Sequence, residues 1–258
     1  MWCQNALKMK VLNYLISFLL WVFVAITATI LFIGDFLVWL LTFWWDKRLF
    51  WLHKYSTVWA LFYVWINPGW KINVIGLQKI SKDRPYVIVS NHQSAFDIVL
   101  LYRINRHFKW VAKRELSRVP VIGWNLILNR CILIDRASAA SAKKMVLDSL
   151  KHINRGSSIL IFPEGTRSKD GKVGRFKEGA FLIAQRAKVP IVPIVIEGSK
   201  DILPKPGIVN LFQKLTIKVL DPIPVEQILS LTTDQLTKQV NQIIRGEHER
   251  LAPNKYNE

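Results

Sequence analysis

The chain is short of cysteine and of acid. It has two cysteines in 258 residues, Cys3 and Cys131, with no CxxC pair and no Cys/His cluster. A disulfide framework and a metal centre are therefore not expected. Only 18 Asp+Glu stand against 36 Lys+Arg, a net charge of +18. Such a surface attracts polyanions: nucleic acid, anionic lipid headgroups, or acidic soluble substrates and carriers. No Gly-x-Ser-x-Gly elbow occurs, so nothing marks a serine nucleophile of that kind. A nucleotide P-loop is missing as well. Five residues rather than four separate Gly165 from Gly171, and Val173 stands where Ser or Thr is required. Internal repeats and low-complexity segments are absent.

The first quarter of the chain also lacks charge. The 23 residues from Val11 to Ile33 carry none, enough to cross a bilayer and too long for the core of a signal peptide. Gly34-Asp35 interrupts the run, Phe36 to Trp45 continues it, and Asp46-Lys47-Arg48 ends it. An aromatic-rich piece from Leu49 to Ile66 follows, before the turn Asn67-Pro68-Gly69. Trp39, Trp44, Trp45, Trp51, Trp59 and Trp65 cluster here, and tryptophan favours the headgroup zone. Residues 1–66 thus read as a membrane anchor. Lys8 and Lys10 precede the first run, and Lys47, Arg48 and Lys54 follow the second. Positive charge on both flanks fits a helical hairpin with both ends on one, cytoplasmic, side. Phe36 to Trp45 is short for a crossing, which favours a hairpin dipping into one leaflet over one that spans it.

Beyond Pro68-Gly69 short apolar runs alternate with amphipathic ones. Strands are expected at Trp70–Ile75, Tyr86–Val89, Phe108–Ala112, Cys131–Ile134, Ser158–Phe162, Ile191–Ile196 and Leu215–Val219. Helices are expected at Phe96–Ile104, Ser138–Asn154, Lys177–Lys188 and from Thr232 on. Thr232-Thr-Asp-Gln fits a capping box there, and Leu236, Val240, Ile243 and Ile244 form a stripe. The fold class is α/β: a mixed central sheet flanked by helices over residues 67–258, preceded by the hydrophobic helical anchor.

Two segments after buried strands carry chemistry. In Ser90-Asn91-His92-Gln93-Ser94-Ala95-Phe96-Asp97, a turn would let Asp97 orient the imidazole of His92 as a general base. By itself this spacing also suits a structural histidine and a helix-start carboxylate. In Phe162-Pro163-Glu164-Gly165-Thr166-Arg167-Ser168, a glycine turn exposes backbone N–H groups and Arg167 offers a fork for phosphate oxygens. Glu164 would repel an anion unless it fixes Arg167 or a substrate hydroxyl.

Together, Asn-His-x-x-x-x-Asp and, about 70 residues on, Phe-Pro-Glu-Gly-Thr-Arg-Ser resemble the motif pair of the glycerophospholipid acyltransferase family. Two more blocks match in order. The first is Lys113-Arg114-Glu115-Leu116 with Pro120, Gly123 and Ile134-Asp135-Arg136. The second is Val192-Pro193-Ile194-Val195-Ile196. The order and spacing resemble the bacterial 1-acyl-glycerol-3-phosphate acyltransferases in particular. One departure is Asn129-Arg130-Cys131, where many members carry glycine.

The resemblance implies transfer of a fatty acyl group from acyl-CoA or acyl carrier protein to the 2-hydroxyl of lysophosphatidic acid. His92 would be the base and Asp97 its orienting partner. Arg167 and Arg136 would hold the acceptor phosphate, Glu164, Gly165 and Thr166 would shape that pocket, and Lys113 would touch phosphate or the oxyanion. No metal or prosthetic group is implied, and no nucleic acid. The location implied is a membrane, in particular a bacterial inner membrane with the catalytic domain on its cytoplasmic side. The competing expectations are the same chemistry on another lysolipid, a catalytically retired relative, and a non-catalytic basic protein bound at membrane surfaces.

Overall fold

The computed structural model describes residues 2–203 and 208–256, with side chains from residue 12 on. Cys3, Lys8 and Lys10 lie outside the described side chains. Seven strands are present: β1 (Trp70–Ile75), β2 (Val87–Ser90), β3 (Phe108–Lys113), β4 (Ile132–Ile134), β5 (Ser158–Ile161), β6 (Ile191–Glu197) and β7 (Gln213–Val219). They form one sheet in the order β1-β7-β6-β2-β5-β3-β4, parallel throughout except where β6 meets β7. The mixed α/β class expected from the sequence is the one found.

The central strands are apolar on both sides, as strands covered on both faces must be. Val87, Val89, Ile159, Ile161, Ile191 and Val195 point to one core, shared with α5 (Ala139–Asn154), α6 (Gly179–Ala187) and α8 (Thr233–Leu251). Their alternate neighbours Ile88, Leu160, Val192, Ile194 and Ile196 point to a second core with α3 (Asp97–Leu101). Helix starts follow side-chain chemistry. Ser138 accepts from Ser141 N to cap α5, and Thr232 and Gln235 form the expected capping box of α8. Ile243, assigned to the apolar stripe of α8, is 36% exposed instead. Two short helices carry too little periodicity to be read from sequence: α4 (Ile122–Leu128) and α7 (Val225–Ser230).

The N-terminal region departs from expectation in one respect. The break placed at Gly34-Asp35 is not there. A single helix, α1 (Trp2–Thr42), runs through it, and the turn falls after Thr42, before α2 (Phe50–Trp65). Glycine alone does not end a helix when its lack of a side chain is used for packing. A Cβ on Gly34 would lie 2.1 Å from the Tyr55 hydroxyl, so the glycine lets α2 approach. Asp35 is fully buried and accepts from Ser56 Oγ at 2.8 Å and Asn125 Nδ2 at 2.7 Å. Asn129 Nδ2 donates to the same Ser56 at 3.0 Å. One polar knot therefore joins α1, α2 and α4. By length and composition, Leu12–Thr42 is a helix able to cross a membrane, with mean hydropathy 2.6 and 11% of its most apolar window buried. The other face of α2 packs on α3 and on the 3-10 turn Tyr102–Ile104, with His53 edge-on to Phe108.

Candidate active site

Strand β2 ends at Ser90, and the next residues turn over the carboxyl ends of the parallel strands, where open α/β sheets place their ligands. Asn91 fixes the turn. Its side chain donates to Ile196 O and accepts from Ile196 N, both at 2.8 Å, which locks it to β6. His92 Nδ1 then lies 2.8 Å from Asp97 Oδ2. Asp97 opens α3 and is fully buried. The same Oδ2 accepts from Gln93 N at 2.7 Å and Ser94 N at 2.8 Å. An oxygen receiving two backbone N–H groups is an acceptor to its third neighbour too, so Nδ1 carries the proton. Nε2 is left as a lone-pair base with no hydrogen-bond partner among the described residues. The imidazole stacks on Phe162 at 3.9 Å and 9°, which holds its plane.

Glu164 sits behind the histidine. Its Oε1 accepts from His92 N at 2.9 Å and its Oε2 from Gly174 N at 3.1 Å. It contacts neither Arg167 nor solvent to any extent, being 8% exposed. Burial pushes its carboxyl up to about 7 against two backbone N–H bonds that pull it down. The structure therefore assigns it a role the sequence did not suggest: it clamps the two loops together through backbone. Ser168 N adds a bond to His92 O at 2.8 Å. Gly165 has φ +73, a left-handed turn that glycine takes without strain, and the Lys177 side chain lies over it. Thr166 and Arg167 are exposed. Arg167 lines an open cavity of about 340 Å³ with Ser94, Ser168, Lys200 and Asp201, beside the His92 turn.

Lys113 ends β3 and Arg136 lies two residues past β4, on the far side of β5 from β2 but at the same, carboxyl, ends of the strands. Lys113 pairs with Glu115 at 3.2 Å, and the same carboxylate attracts Arg136. Neither cation has a hydrogen bond or ion pair to His92, Asp97, Glu164 or Arg167 among the described residues, so both stand at the rim of the strand-end surface.

Residues that the sequence reading missed support the turn from below. Gln93 Nε2 donates to Gly171 O at 2.9 Å and reaches Glu197 Oε2 at 3.2 Å. Fully buried His248 lies 2.6 Å from both Gln93 Nε2 and Glu197 Oε2, and its Nδ1 meets Tyr256 Oη at 2.8 Å. Lys255 Nζ closes on Glu197 Oε1 at 2.6 Å. Hydrogen bonding to His248 and Lys255 holds Glu197 down at about 2 despite its burial. The signal was present: Leu236, Val240, Ile244 and His248 are spaced by four, so His248 prolongs the buried stripe of α8.

A histidine held by a buried carboxylate at the carboxyl ends of parallel strands, with an arginine-lined cavity beside it, suits proton abstraction next to an anionic group. Comparison with known proteins narrows the class. Residues 71–197 match the family model described as Acyltransferase. A chloroplastic 1-acyl-sn-glycerol-3-phosphate acyltransferase from Arabidopsis thaliana is 38% identical over 161 residues, 61% of this chain and 45% of that protein. A 1-acyl-sn-glycerol-3-phosphate acyltransferase from Pseudomonas aeruginosa is 36% identical over 140 residues, 53% of this chain and 54% of that protein. The crystal structure of the 1-acyl-sn-glycerophosphate acyltransferase PlsC from Thermotoga maritima is similar with TM-score 0.73 and 27% identity, covering 95% of this chain and 97% of that one. The chain thus carries an acyltransferase-family domain over residues 71–197. It spans about half the length of the curated relatives it matches.

Proposed function

We propose that the protein transfers a fatty acyl group from acyl-CoA or acyl carrier protein to the sn-2 hydroxyl of lysophosphatidic acid, giving phosphatidic acid for phospholipid synthesis. The observation that carries this is the free Nε2 of His92, with Asp97 favouring the tautomer in which Nε2 is the acceptor. Relatives named for the same reaction support it.

His92 Nε2 takes the proton from the acceptor hydroxyl, and the oxygen attacks the thioester carbonyl. The C–S bond breaks, the ester forms, and the thiol sulfur leaves with the proton from Nε2. The imidazolium that exists in between is stabilised by the Asp97 carboxylate. Arg167, beside the His92 turn, binds the acceptor phosphate, with Glu164 and Gly165 shaping the loop that carries it. Arg136 and Lys113 act from the rim. Residues 1–66 hold the enzyme at the membrane, because acceptor and product keep their tails in the leaflet. The charge pattern suits the cytoplasmic face of a bacterial inner membrane.

The second reading keeps the chemistry and changes the acceptor to another lysolipid, since Arg167 recognises any phosphate. An acceptor competition in detergent-dispersed protein separates them. Phosphatidic acid formed in preference to products from zwitterionic lysolipids is the expected result. Acylation of a zwitterionic lysolipid alone would replace the substrate, and no acylation of any would overturn the function.

A further inference from the structure

A second cavity, of about 550 Å³, opens at the sheet edge beside β4, away from Arg167. Three guanidinium groups line it: Arg114 from the turn after β3, Arg130 before β4, and Arg155 at the end of α5. None has a carboxylate within ion-pair distance among the described residues. The one acid in the lining, Asp148, is already paired with Lys144 and, at 3.4 Å, with Lys151, which line the same cavity. The excess of positive charge is felt locally. Burial first, then Lys109, Arg155 and Arg130, hold the His152 imidazole down at about 4. Arg130 also sits at φ +52, a conformation that glycine takes freely and arginine takes under strain.

One end of the cavity is level with the His92 turn: Arg114 follows β3 at its carboxyl end, whereas Arg130 and Arg155 lie toward the amino ends of β4 and β5. Val89 of β2 pairs with Ile161 of β5, and Trp110 of β3 pairs with Leu160, so Val111 lies level with Ile161. Val111 pairs in turn with Ile132 of β4, in the cavity lining. Ile132 is therefore level with Val89, three strand spacings or about 14 Å sideways from β2, and Arg114 at the upper end is nearer the His92 turn, two spacings or about 10 Å across. That span is within the reach of a pantetheine arm. The volume lies in the range of small-molecule sites, about 300–1,000 Å³.

We propose that this arginine-lined cavity binds the phosphates of the nucleotide end of a coenzyme A thioester, so that the arm leaves it at Arg114 and reaches His92 across the carboxyl ends of β3, β5 and β2. The ligand's identity rests on the acyl-transfer reading; the phosphate chemistry does not. Unpaired guanidinium groups recognise phosphate bidentately, and a 3′-phosphate with a diphosphate supplies separate anionic groups for separate arginines.

The test measures binding of coenzyme A to the full-length protein in detergent, for wild type, Arg130→Gly and Arg155→Gln. Anionic against zwitterionic vesicles are run in parallel, and steady-state kinetics use each donor. Arg130→Gly suits φ +52, so its melting temperature checks that the fold is kept. The expected result is a Kd for coenzyme A raised about tenfold by each change, with dephospho-coenzyme A already weaker on wild type. The thioester KM should rise in parallel, with kcat and the acceptor KM within about twofold. Unchanged coenzyme A binding in both variants would overturn the proposal. So would loss of anionic-vesicle binding with coenzyme A binding intact, which would make this a lipid headgroup site. An effect confined to carrier-protein donors would overturn it too. Arginine-dependent coenzyme A binding without acylation of any lysolipid would support the cavity and contradict the proposed function instead.

Discussion

The His92 turn and the N-terminal helix are held in opposite ways. Around His92 nearly every polar group is bonded inside the protein: Asp97 takes three donors on one oxygen, Glu164 bridges two loops, and Asn91 and Gln93 tie the turn to β6 and to the Gly171 loop. Along α1 most side chains are apolar and exposed, and tertiary polar contacts are few: Asp35 with Ser56 and Asn125, Thr27 with Tyr63, and Ser17 with Val209 N. The first region is a site whose geometry the protein determines alone. The second is an apolar surface left largely exposed and fastened at a few points. If His92 is the base, it loses rate with every displaced donor, whereas an anchoring helix has only to stay attached.

Asp97→Asn puts most strain on this contrast. It keeps the volume but offers Nδ1 an amide in place of a carboxylate, so the tautomer is no longer enforced. Acyl transfer should fall about a thousandfold, with the acceptor KM changed far less. A fall under tenfold would mean that the turn, not the carboxylate, orients His92.

The fastening of α1 is tested next. Asp35→Leu leaves Ser56 and Asn125 without their acceptor and should cost about 2 kcal/mol, against less for Asp35→Asn, which keeps one oxygen. The readouts are the melting temperature in detergent and the rate of proteolytic cutting in residues 43–49. If both variants cut at the wild-type rate, α1 is held by its apolar contacts instead.

The smallest effect concerns pH. The Glu164 carboxyl is raised from 4.5 to about 7. A raised carboxyl stabilises the fold fully below the unfolded value, and that contribution is lost as pH climbs through the folded one. Melting should therefore drop by about 5 °C between pH 4.5 and 8, and Glu164→Gln should remove most of that slope. A slope that survives the substitution assigns it to another group.

Much of this was legible in the sequence because it was local. A buried apolar run followed by Asn-His or by Pro-Glu-Gly marks the end of a central strand, and strand ends in an α/β sheet converge whatever lies between them. The course of α1 was not legible. Gly34-Asp35 looks like a break until Tyr55 and Ser56 are beside it, and those contacts are tertiary. The partners of Glu164 are tertiary too: beside Arg167 in sequence it suggests an ion pair or a contact to a substrate hydroxyl, and its oxygens accept from the backbone of His92 and Gly174. His248 lies on a spacing-of-four stripe, yet its bond to the catalytic turn crosses 155 residues. Lys113 and Arg136 belong to motif blocks that the sheet order places across β5 from His92, at the same carboxyl ends of the strands.

The measurement that bears most directly on the central claim is the rate of phosphatidic acid formation from lysophosphatidic acid by wild type and His92→Ala, at equal protein and matched melting temperature. If Nε2 of His92 is the base, the variant should lose about a thousandfold in kcat/KM with either donor while keeping its fold. A His92→Ala protein with activity within tenfold of wild type would contradict the account.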